Sequence, residues 1–187
     1  MVMTFPNILT LLRICAVPFF AIAVWYGRTA EACLLFAAAG MTDLLDGWIA
    51  RRFNQRSTVG AVLDPAADKL LMTTAFVMLA FPRETYAVRI PAWVSILAIS
   101  RDVIISLVAL VAYERLDPSK FMPSLLGKAT TFVELVAISV ALLFNHLGPR
   151  PWYRFLVPWV FYLIAAMVVA SGIHYFFRAT HASSEPA

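Results

Sequence analysis

Six apolar stretches, each close to the ~20 residues that cross a hydrocarbon core as a helix, lie at roughly 8–26, 31–52, 60–81, 91–113, 127–146 and 153–177. A soluble core cannot absorb that much apolar surface. Of the 187 residues, 61% are hydrophobic and only 14% are charged, against about 25% charged in an ordinary soluble domain. The chain is therefore expected to be an all-α integral membrane protein of six transmembrane helices, one membrane domain over 1–178 with a disordered tail at 179–187. Polar or proline-containing breaks separate the spans: the link 54–59, Pro82 and Arg83, Asp117-Pro118-Ser119, and Gly148, Pro149 and Pro151. Charges inside the second, third and fourth spans mean that hydropathy alone under-reports those three. Ala21-Ile22-Ala23 imitates a leader-peptide cleavage site, but no basic residue precedes the first apolar run and Arg13 lies inside it. A retained helix is expected there.

The net charge of +4 comes from Arg and Lys at membrane edges, which does not call for a nucleic-acid partner. With the N-terminus in the cytoplasm, the inner side collects Arg51, Arg52, Arg56, Lys69, Arg115, Lys120, Lys128 and Arg178. The outer side collects Arg28, Arg83, Arg89, Arg150 and Arg154. That bias favours this orientation. Trp25, Tyr26, Trp93, Trp152 and Tyr153 then fall at the outer interface as belt residues. Cys15 and Cys33 lack metal-ligand spacing and are expected as buried small apolar residues.

Against this background, "MTDLLDGWIARRFNQRSTVGAVLDPAADKL" at 41–70 holds four of the chain's 11 carboxylates, Asp43, Asp46, Asp64 and Asp68. Asp43 and Asp46 are three residues apart, Asp64 and Asp68 four, and both spacings place a pair on one helix face. The short link between the second and third spans forces an antiparallel hairpin, which brings both pairs to similar depth just below the cytoplasmic surface. Four carboxylates in a partly dry cleft repel one another, and intramembrane charge is costly even singly. Protonation, pairing with Arg or Lys, or binding of cations would each relieve the repulsion. Pairing with Arg51, Arg52 and Lys69 would merely hold the hairpin together. Binding of two divalent ions would balance four charges, and hard oxygen ligands suit Mg²⁺ or Mn²⁺. Gly47, Ala50 and Gly60 remove bulk beside the acids, Arg51 could meet a phosphate, and Pro65 suits a helix start or a kink.

These residues resemble the signature of the CDP-alcohol phosphatidyltransferases, D-x2-D-G-x2-A-R-x8-G-x3-D-x3-D. Asp43, Asp46, Gly47, Ala50, Arg51, Gly60, Asp64 and Asp68 match every fixed position and gap. "FPNILTLLRICAVPFF", "ISRDVIIS" and "LLGKATT" extend the likeness toward the phosphatidylglycerophosphate and cardiolipin synthases of the family. The resemblance implies a six-helix membrane fold, often a homodimer, in the cytoplasmic (inner) membrane with its polar cleft open to the cytoplasm. It implies transfer of a phosphatidyl group from CDP-diacylglycerol to an alcohol with release of CMP. By position, Asp43, Asp46, Asp64 and Asp68 would hold two divalent ions, and Asp68 would also take the acceptor's proton. Gly47, Ala50, Arg51 and Gly60 would line the nucleotide pocket.

Arg101 lies mid-span, where an unpaired guanidinium is costly. It could pair with Asp102 or Glu134, or it could join Lys128 in binding a phosphate on the acceptor. Asn7, Thr10 and Arg13 could reach the same rim or act as interfacial caps. A phosphate-bearing acceptor points to glycerol 3-phosphate, with phosphatidylglycerol, and hence a cardiolipin synthase, as the alternative. A divalent-cation transporter is the reading from a different class, without inverted repeats to support it.

Overall fold

Every apolar stretch folds as one long helix. The computed structural model describes residues 5–52, 58–81, 86–115 and 125–184, with side chains described at 7–43, 45, 60, 63–81, 86–107, 125–153 and 155–175. The helices are α1 (Phe5–Trp25), α2 (Thr29–Arg52), α3 (Thr58–Ala80), α4 (Ala92–Arg115), α5 (Leu125–Leu147) and α6 (Tyr153–Ser184), and no strand occurs among the described residues. Three of them contain segments long and apolar enough to cross a membrane: Asn7–Trp25, Leu125–Leu147 and Phe155–Tyr175. These are the first, fifth and sixth helices, counted among the described residues. Residues 54–57, Pro82, Arg83 and Asp117-Pro118-Ser119 lie outside the described residues.

Pro65 lies inside α3, which excludes the helix start of the two placements expected for it, and there the proline withholds one N–H from the helix's own ladder. One expectation needs correction. Cys15 is exposed and Cys33 half-buried, because both fall off the core-facing stripes of their helices. Helical backbone also runs on to Ser184, into the segment expected as a tail. Beyond Pro158, near the start of α6, the chain has no proline until Pro186.

The chain divides into two compact units, 1–89 with 138–150, and 90–137 with 151–187. In the first, α1 packs against both α2 and α3. Its buried positions follow one stripe at three- and four-residue steps: Asn7, Thr10 and Arg13, then Val17, Phe20 and Val24. The stripe is polar in its first half and apolar in its second. Phe36 and Ala39 continue the apolar core on α2, and Ala67, Leu71, Ala75 and Leu79 on α3. Asp43 and Asp68 fall on the same helical steps, so the acids prolong the core stripes instead of facing away from them.

The far end of α1 closes on Gly27, whose φ of 70° suits a residue without Cβ. Arg28 N–H donates to Ala23 O at 2.8 Å and Gly27 N–H to Val24 O at 3.2 Å, the paired bonds of a Schellman cap. The segment after α3 is held at this end too. Tyr86 Oη donates to Val24 O. Asn145 of α5 brackets Val88, accepting from its N–H at 2.8 Å and donating to its carbonyl at 2.9 Å. In the second unit α4 packs against α6 around Val94, Ala98, Ile164 and Val168.

Because Val88 is buried, Asn145→Ala strands a donor and an acceptor together. We expect it to destabilise the protein in detergent by about 2–4 kcal/mol, read as a lower unfolding midpoint. A loss below about 0.5 kcal/mol would show that water takes over both groups.

Candidate active site

The polar half of the α1 stripe meets the acid motif directly. Arg13, with a side chain 0% exposed, places Nη1 2.8 Å from Asp43 Oδ1 and 2.6 Å from Asp68 Oδ1. One nitrogen therefore joins α2 to α3, and the two carboxylate oxygens lie within the span of two hydrogen bonds of each other. One turn earlier on the same face, Thr10 Oγ1 donates to Asp64 Oδ1 at 2.5 Å. Asn7, Thr10 and Arg13 are all buried, and Thr10 and Arg13 bond across to the acids instead of acting as interfacial caps. Helix α1 is a third wall of the site, and the three motif acids whose side chains are described all bond to it. Residues 7, 10 and 13 stood out in the sequence only as polar positions at helical spacing in an apolar span.

The electrostatics follow from this geometry. A buried guanidinium is tolerated only when charged, hydrogen-bonding partners surround it. Asp43 and Asp68 supply that while keeping 41% and 43% of their own side chains exposed, so the cation sits beneath and the carboxylates open outward. Pairing of the acids with a cation, one of the three ways to relieve their repulsion, is present here through Arg13 of α1. The side chains of Asp46, Gly47, Ala50, Arg51 and Arg52, on the last turns of α2, lie outside the described set. Gly60, on the first turns of α3, is buried.

Among the described residues no three acidic, His or Cys side chains converge closely enough to cradle an ion. The donor chemistry nevertheless fits a hard divalent cation. Carboxylates from two helices already meet at one positive group, Asp64 sits one turn from Asp68, and the oxygens remain accessible.

The second unit holds a separate polar cluster. Arg101 is 8% exposed. Its Nη1 donates to Asp102 Oδ1 at 2.7 Å, and its Nη2 to Ser171 Oγ at 2.7 Å and to Gly127 O at 3.4 Å. Its Nε is buried with no acceptor among the described residues. Of the two ion-pair partners weighed for Arg101, Asp102 is bonded to it, yet this does not use up the guanidinium. Lys128, next in the chain after Gly127, is exposed on the first turn of α5, and Glu134, six residues further along the helix, is fully buried. Nothing in the sequence singled out Ser171, one hydroxyl among many in apolar helices.

Arg13→Met removes the bridge but leaves Asp43 and Asp68 room to hydrate. It should lower the unfolding midpoint, by about 1–2 kcal/mol in stability. Excess MgCl₂ should recover more stability in this variant than in the unsubstituted protein, since a divalent ion can replace the lost charge. Equal magnesium responses in the two would show that Arg13 and the ion do not act on the same carboxylates.

The comparisons agree with the signature. A profile of the CDP-alcohol phosphatidyltransferase family matches residues 3–174. The chain is 32% identical to the CDP-diacylglycerol–glycerol-3-phosphate 3-phosphatidyltransferase of Escherichia coli (strain K12) over 173 residues, 91% of each chain. It is 37% identical to the enzyme of that name from Haemophilus influenzae over 136 residues, 71% of this chain and 72% of that one. A cardiolipin synthase (CMP-forming)/mitochondrial hydrolase fusion protein of Schizosaccharomyces pombe is 35% identical over 93% of this chain and 31% of its own length. With eight signature residues in register and the profile spanning nearly the whole sequence, the chain belongs to the CDP-alcohol phosphatidyltransferase family.

Proposed function

We propose that this protein transfers the phosphatidyl group of CDP-diacylglycerol to glycerol 3-phosphate and releases CMP. The observation that carries this reading is the meeting of Asp43 and Asp68 at one buried cation with both carboxylates still open, inside a family that uses divalent metal ions. In the reaction the acceptor's hydroxyl oxygen bonds to the lipid-side phosphorus, and the phosphoanhydride bond to CMP breaks. Asp68, open to solvent and held in direction by Arg13, takes the hydroxyl proton. Asp43, Asp46, Asp64 and Asp68 would hold two ions, Mg²⁺ or Mn²⁺. When bound, these supply positive charge against the diphosphate and the departing CMP. Gly47, Ala50, Arg51 and Gly60 line the nucleotide side. Thr10 and Arg13 keep the acids of α2 and α3 facing one another.

On the acceptor side, Arg101 supplies a buried N–H with no acceptor among the described residues, which an anionic oxygen would satisfy. Lys128, beside Gly127, adds a mobile point charge. A phosphate on the acceptor is the group these two would recognise. The relatives named as glycerol-3-phosphate 3-phosphatidyltransferases favour glycerol 3-phosphate. The S. pombe relative keeps phosphatidylglycerol, and thus a cardiolipin synthase, as the second reading. We place the protein in the cytoplasmic membrane as a six-span homodimer with its site facing the cytoplasm. The positive-inside bias and the depth of the acids support that placement.

Purified protein given Mg²⁺ or Mn²⁺, CDP-diacylglycerol and each acceptor in turn should release CMP with glycerol 3-phosphate. Release with phosphatidylglycerol instead would select the cardiolipin reaction, and no release with any alcohol would remove the transferase reading. Asp68→Asn should lower kcat by at least about a hundredfold with the helical content retained. Turnover near that of the unsubstituted protein would exclude Asp68 as the base.

A further inference from the structure

The cluster around Arg101 is organised by a residue that neither the signature nor the acceptor chemistry points to. Asp102 is the next residue on the same helix, so its bond to Nη1 travels with Arg101 and cannot by itself fix where the guanidinium faces. The Gly127 carbonyl, at 3.4 Å, is a weak restraint. Ser171 Oγ is different. It comes from α6, is 1% exposed, and accepts from Nη2 at 2.7 Å. A guanidinium is a rigid plane. Anchoring Nη1 on α4 and Nη2 on α6 fixes that plane and leaves the Nε–H as its one unclaimed nitrogen, at a side chain more than nine-tenths buried.

We propose that Ser171 is a positioning residue for acceptor recognition: its hydroxyl holds the Arg101 guanidinium so that the Nε edge faces the acceptor's phosphate. This rests on the acceptor reading above and deepens it. With Ser171 removed, Nη2 turns to find another acceptor, and the Nε–H no longer meets the anion in a fixed direction. On the acceptor reading the donor lipid does not depend on this arrangement, so its KM should be indifferent to it. Threonine carries the same hydroxyl on a slightly larger side chain and retains the bond.

The test is steady-state CMP release by unsubstituted protein, Ser171→Ala and Ser171→Thr, varying glycerol 3-phosphate and CDP-diacylglycerol separately. Ser171→Ala should raise KM for glycerol 3-phosphate by about tenfold or more, the size of one charge-assisted hydrogen bond. KM for CDP-diacylglycerol should stay within about twofold, and Ser171→Thr should recover most of the loss. Thermal unfolding in the same detergent identifies a general loss of structure, and Ser171→Thr keeps the test open if the alanine variant unfolds. Equal rises in both KM values, an unchanged acceptor KM, or a threonine variant as impaired as the alanine one would overturn the role of Ser171. If the unsubstituted protein releases no CMP with glycerol 3-phosphate, the acceptor reading itself fails and takes this role with it.

Discussion

A single buried guanidinium organises the first unit. Arg13 has no exposed side-chain surface, and burying that charge without partners would cost several kcal/mol. The cost is met by carboxylates from two other helices, so α1, α2 and α3 cannot take their packed arrangement without bringing Asp43 and Asp68 together. Apolar packing of Val17, Phe20 and Val24 holds the same helices along the rest of the stripe, but it does not select which polar groups converge. The ion pairs do. Structure and chemistry therefore share the same residues: the contacts that close the helix trio also gather the oxygens a divalent ion would need.

Much of the fold could be read from the chain because bilayer length and turn residues impose it. All six apolar stretches became helices, and Gly148, expected in a turn, has a φ of 79°. The acids inside the apolar helices α2 and α3 were what pointed to a site. What the chain hid was mostly a matter of which helix faces which. Spacing within a helix is local and legible, so Asp64 and Asp68 pair on one face of α3 in plain sight. That Arg13 would reach across to Asp43 and Asp68, 30 and 55 residues away, depends on packing that no local pattern encodes. Ser171 was hidden for the same reason, since its importance comes wholly from Arg101 lying against it. Cys15 and Cys33 failed as core residues because, with lipid as solvent, an apolar side chain is as well placed outside a helix stripe as on it.

The second unit repeats the physical theme with different partners. Arg101 is also buried and ion-paired, with Asp102 at 2.7 Å. The Nε of each arginine is buried, so what separates the two is the reach of the groups they hold. Arg13 draws on acids from two other helices, 30 and 55 residues away. Arg101 takes its carboxylate from the next residue on its own helix and only a neutral hydroxyl from α6.

The central claim is that the acids gathered by Arg13 and Thr10 take up a divalent ion, and electron paramagnetic resonance of added Mn²⁺ tests it most directly. Purified protein should quench the sharp six-line signal of the free ion in proportion to protein added, with Mg²⁺ restoring it by competition and Asp43→Asn plus Asp68→Asn abolishing the uptake while the helices persist. An unquenched free-ion spectrum at excess folded protein, or the same uptake in the doubly substituted chain, would contradict it.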